Sequence, residues 1–106
     1  MQIDLTKLVG RDGAVLAGME RGVAARDLFV LDSLDCGPED VVISAPDHLE
    51  AISPSFVQGF LAGSLKHLGE EGLKNKYKFD LDEHLRKDID SGVKRLLMKR
   101  KIAGLD

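Results

Sequence analysis

Tryptophan is absent from this 106-residue chain, cysteine occurs once, and aromatic residues make up only 5%. A single thiol, Cys36, excludes an internal disulfide. The N-terminus lacks a basic segment followed by a long apolar one, so an intracellular, cytoplasmic protein is expected. No apolar run approaches the roughly 20 residues that cross a bilayer, because charges interrupt each one. Scarce aromatics also remove the stacking platforms on which single-stranded nucleic acids rest, since Phe29, Phe56, Phe60 and Phe79 mostly fit apolar faces.

Chemical motifs are equally sparse. None of the 11 glycines falls in a phosphate-loop pattern, and Gly10-Arg11-Asp12-Gly13 lacks the lysine-serine ending. His48, His67 and His84 are too dispersed for a local ligand pair, and Cys36 has no neighbouring cysteine, so neither a metal nor another cofactor is expected. The acidic run Asp80-Leu81-Asp82-Glu83 would suit magnesium beside a phosphate, but carboxylates there also suit a helix start, which is the favoured reading. A serine hydrolase set drawn from Ser53 or Ser55, His48 and Asp47 lies too close along one loop for nucleophile, base and orienting group to meet. No enzyme is expected.

What the chain does have is patterned. Its net charge of −3 conceals a division: residues 1–53 carry four basic against ten acidic side chains, and residues 54–106 carry eleven against eight. The basic run Lys94-Arg95-Leu96-Leu97-Met98-Lys99-Arg100-Lys101 suits phosphates or an acidic protein, though cations also suit the negative end of a helix.

Alternation from Ile3 towards Val9 predicts a half-buried strand, broken by Gly10 and Gly13. Residues 14–19 are apolar and fit either a short strand or a packed loop. Val23, Ala24, Leu28, Leu31 and Leu34 recur at helical spacing and predict one helix over residues 20–34, ended by Cys36-Gly37-Pro38. Val41-Val42-Ile43 reads as a central strand covered on both faces.

Ser53-Pro54 opens a helix over residues 54–68, the serine capping it and the proline filling its first position. Phe56, Val57, Phe60, Leu61, Ala62, Leu65 and Leu68 form its apolar face, and Gly59 and Gly63 predict close packing on a sheet. Lys76 to Leu81 alternates as an edge strand, through which a homodimer could pair although its lysines oppose that. A last helix follows over residues 82–101, capped by Asp80 or Asp82, with Leu85, Ile89, Val93, Leu96 and Leu97 inward. The order predicts an α/β fold: one mixed sheet of about three to four strands covered by about three helices, in a single domain.

The segment Val41-Val42-Ile43, then Leu49-Glu50-Ala51-Ile52-Ser53-Pro54-Ser55-Phe56 and its apolar helix, resembles the core of the STAS-like proteins, small relatives of anti-sigma-factor antagonists. Ala25-Arg26 is similar to that group's serine-arginine, with alanine in place of serine. The resemblance implies a regulatory protein-interaction module whose partner is a histidine-kinase-like ATPase or sensor. It also implies docking through Asp47, His48, Glu50, Ser53, Ser55 and Gln58, and phosphate acceptance at Ser53 or Ser55. The antagonists place aspartate directly before the target serine, whereas this chain has Ile52. Ile52 and Phe56 read as core. Arg26 reads as a solvated helix charge or as an ion pair with a carboxylate such as Asp47. A nucleic-acid-binding protein using the basic final helix is the alternative.

Overall fold

The structure, a computed structural model, describes the backbone of residues 1–102 and the side chains of residues 1–99. Along the chain come β1 (Gln2–Asp4), α1 (Thr6–Val9), β2 (Val15–Leu16), α2 (Met19–Leu28), α3 (Leu31–Cys36), β3 (Val41–Ser44), β4 (Ala51–Ile52), α4 (Pro54–Lys76), β5 (Tyr77–Asp80) and α5 (Glu83–Ile102). The α/β class is as expected. The sheet differs: every pairing is parallel, and the strands form two sheets, β1-β3-β5 and β2-β4. Parallel neighbours require crossover connections. Here the two crossovers, β1 to β3 and β3 to β5, each contribute one strand of the smaller sheet.

The β-branched run does make the central strand. Ile3, Val41, Ile43 and Tyr77 are buried on one face of the larger sheet. On the other face Gln2, Asp4, Lys78 and Asp80 are exposed, and Val42 and Ser44 are only half-buried. β3 is thus covered fully on one face, not on both as expected, because its neighbours in register supply polar side chains opposite Val42 and Ser44. β5 lies at the edge, as its alternation predicts.

Three other expectations change, and one open choice is settled. The first strand stops at Asp4, whose Oδ1 accepts from Thr6 N at 2.9 Å and turns the chain into α1. The single helix over residues 20–34 is two helices, because Val30 takes left-handed backbone geometry (φ 51°, ψ 46°) between α2 and α3. α4 runs beyond Leu68 through a kink at Gly69, where φ is 76° and glycine carries no steric cost. Asp80 ends β5, so it is Asp82 that precedes α5.

The largest reversal is in α2. Val23 and Leu28, expected inward, are 48% and 58% exposed, while Gly22, Ala25 and Arg26 face the core. Shape explains this. α4 presents Gly59 and Gly63 to α2 rather than to a sheet, and a Cβ on Gly22 would collide with the Phe56 carbonyl oxygen and stand 2.7 Å from Phe60 N. Only a face of small residues lets the two backbones come this close. On its other side α4 meets α5, where a Cβ on Gly92 would collide with Val57. α4 is therefore the hub, touching α2, α3, α5 and β5. Phe56, Val57, Phe60, Leu61 and Leu65 are buried along it, and Ala62 faces outward.

Candidate functional site

Two polar constellations stand against this apolar frame, one at each end of the α2–α4 contact. The first is the turn that opens α4. β4 is held to β2 by Glu50 N to Ala14 O at 2.7 Å and Ser53 N to Leu16 O at 2.8 Å. Ile52 N donates to Asp88 Oδ2 of α5 at 2.9 Å. Ser53, in extended geometry, caps α4: its Oγ accepts from Phe56 N at 3.2 Å. Its Oγ also lies 3.0 Å from Ser55 Oγ, which accepts from Gly18 N at 3.2 Å. Gly18 is the residue that starts α2. The hydroxyl pair therefore stands where the positive ends of two helices meet.

The remaining residues of the loop are dispersed. Asp47, His48 and Glu50 are exposed, and His48 Nε2 pairs with Gly10 O at 2.9 Å rather than with either serine. Gln58 is not at this surface. It is buried, and its Oε1 accepts from Lys99 Nζ at 2.9 Å, because the second turn of α4 is already enclosed. Ile52 and Phe56 are core, as expected.

The second constellation centres on Arg26. The residue is neither a solvated charge nor a partner of Asp47; it is buried and turned across α4. Nη1 donates to Phe60 O and to Ser64 Oγ, each at 2.8 Å. Nη2 donates to Asp32 Oδ1 at 2.5 Å and to Asp35 Oδ2 at 3.2 Å. Asp35 is itself buried, and accepts from Ser64 Oγ at 2.6 Å and Tyr77 Oη at 2.5 Å. Five side chains from α2, α3, α4 and β5 are thereby tied at one point. Asp47 lies beyond this point because it follows β3 on an exposed loop, whereas α3 returns Asp32 and Asp35 directly to α2.

Every buried polar side-chain atom among the described residues has a hydrogen-bond partner. For Arg26, burial opposes the charged form, but the bonds to Asp32 and Asp35 outweigh it and raise the pKa above its ordinary value. Burial, together with the bond to Asp35, pushes the Tyr77 phenol well above the usual tyrosine range.

Asp35, Ser64 and Tyr77 escape periodicity analysis. The one available signal is Ser64, a hydroxyl between Phe60, Leu61 and Leu65 on an apolar face, where a buried polar group requires a partner. Beside the network, Asp32, Asp35, Cys36, Gly63, Lys66 and His67 line a surface groove of about 430 Å³, with Cys36 Sγ 3.8 Å from His67 Nε2. Among the described residues no group of three or more histidine, cysteine or acidic side chains is placed to hold a metal ion. Among the described residues no helix is long and apolar enough to cross a membrane.

No protein-family model matches this chain, no curated protein matches it, and no solved structure matches it.

Proposed function

We infer that this chain is a regulatory protein-interaction module of STAS-like type, docking through the serine turn and the start of α2. The observation that carries this reading is the exposure of aliphatic side chains on either side of Gly18, the residue held by the hydroxyl pair. Val15 is 46% exposed, and Met19 and Val23, one turn apart on α2, are each 48% exposed. They flank Gly18, whose N–H is held by Ser55. Apolar side chains left in water, together with exposed Asp47, His48 and Glu50 on the loop that leads into the serine turn, suit a protein partner with an apolar contact and a polar rim.

The same geometry supports phosphate control at Ser55. A phosphoryl group there would bring about −1.5 to −2 charges to two helix starts, a favourable setting, while altering the surface that includes Met19. Ser53 is the poorer acceptor, since its Oγ caps α4 and Asp88 stands against the adjoining peptide. For the nucleic-acid alternative, Lys94, Arg95 and Lys99 are exposed on α5, but Lys99 is engaged by Gln58. Arg100 and Lys101 lie outside the described side chains.

The test is capture from native lysate with wild type, Met19→Glu/Val23→Glu, Ser55→Asp, and a Lys94/Arg95/Lys99→Gln variant, each first shown to be folded by circular dichroism. The expected result is a histidine-kinase-like ATPase retained by wild type and the lysine-arginine variant but lost from Met19→Glu/Val23→Glu. Nucleic acid lost only from the lysine-arginine variant would overturn the reading in favour of the alternative.

A further inference from the structure

The Arg26–Asp32 bond is unusual in its asymmetry. The arginine side chain is 9% exposed and the aspartate 87% exposed. Asp35 alone has a buried carboxylate against the guanidinium, and that carboxylate is already bound by Ser64 and Tyr77. Asp32 therefore reaches in from solvent to occupy the outward position of Nη2. It does so in the groove it lines with Asp35, Cys36, Gly63, Lys66 and His67, where the Asp35 carboxylate is already taken up by Ser64, Tyr77 and the guanidinium. Gly63 keeps that wall low: its absent side chain leaves the guanidinium carbon 3.0 Å from where a Cβ would be. Lys66 is exposed and forms no ion pair among the described residues.

We propose that this groove is a binding site for a phosphate or phosphate monoester, and that Asp32 is a displaceable internal stand-in for it. On displacement of Asp32, the anion accepts from Arg26 Nη2 and draws on Lys66 and His67 at the same groove. A simple carboxylate ligand is disfavoured, because Asp32 supplies that group at the high effective concentration of a tethered competitor. A phosphate dianion has more charge and three acceptor oxygens, so it can engage arginine, lysine and imidazole together where Asp32 engages one. The proposal is independent of docking at the serine turn, which uses α2's opposite end.

The site is tested by titrating inorganic phosphate into the full chain and following backbone amide shifts of Gly63, Lys66 and His67 by NMR. Asp32→Asn removes the competitor and is expected to tighten phosphate binding at least threefold. Asp27→Asn makes the same charge change at an exposed position of α2 and is expected to leave affinity unchanged. Lys66→Gln introduced into Asp32→Asn is expected to reverse the gain. No shifts at these amides, no gain in Asp32→Asn, or an equal gain in Asp27→Asn would each overturn the proposal. A phosphoserine peptide titrated in parallel separates the sources of the group. Tighter binding than inorganic phosphate assigns the site to a phosphorylated chain, and equal or weaker binding to the free anion. These variants leave Arg26 and Asp35 intact, so loss of the buried network does not confound the result.

Discussion

Replacing Gly59 by alanine tests the architecture at its narrowest point. In an isolated helix this change is favourable by about 1 kcal/mol, because alanine loses less backbone freedom on folding. In this protein the new Cβ would collide with the Met19 carbonyl oxygen and stand 3.0 Å from Val23 N. Both obstacles are backbone, so no side chain can rotate aside. α2 must move off α4, and Arg26 leaves its positions on Phe60 O and Ser64 with it. Overpacking of this kind costs about 1–3 kcal/mol. A backbone-on-backbone collision belongs at the upper end, about 3 kcal/mol; less the helix gain, the net loss is about 2 kcal/mol. For a domain of this size that lowers the urea midpoint by roughly 1 M. Urea unfolding followed by far-ultraviolet circular dichroism measures it directly. Gly22→Ala enters the same crossing from the α2 side and is expected to cost a similar amount, with the double variant losing less than the sum because the helices are already parted. A Gly59→Ala protein as stable as wild type, or more stable, would refute the close crossing.

Two further results are expected. Arg26→Met, which leaves the buried Asp35 carboxyl without its guanidinium, should cost about 3 kcal/mol by urea unfolding, whereas Asp32→Asn should cost under about 1 kcal/mol because its carboxylate is in solvent. Tyr77 ionises at higher pH when folded than when unfolded. Its contribution is therefore complete below the unfolded tyrosine pKa of about 10, and is lost as pH rises beyond it. Stability of wild type should then fall about 1.4 kcal/mol per pH unit more steeply than that of Tyr77→Phe above about pH 10, measured by urea unfolding across the alkaline range.

Local signals were strong where a residue's neighbours along the chain settle its conformation. Ser53-Pro54 starts α4 by capping chemistry alone, Val41 to Ile43 forms the central strand by β-branching, and Tyr77 to Asp80 reads as an edge by alternation. The serine turn was legible for the same reason. The arginine cluster was not, since Asp35, Ser64 and Tyr77 are separated by 29 and 13 residues and meet only after three elements have packed. α2 shows the limit most plainly. Periodicity measures how apolar a face is, and it favoured Val23 and Leu28; tertiary packing chose Gly22, Ala25 and Arg26, because the partner helix offered glycines and a buried carboxylate lay behind it. Sequence alone thus determined the central strand, the edge strand and the start of α4, through branching, alternation and capping, but not α1, β4 or the break at Val30. Which face each turns inward was decided by the shape and charge of the neighbour it meets.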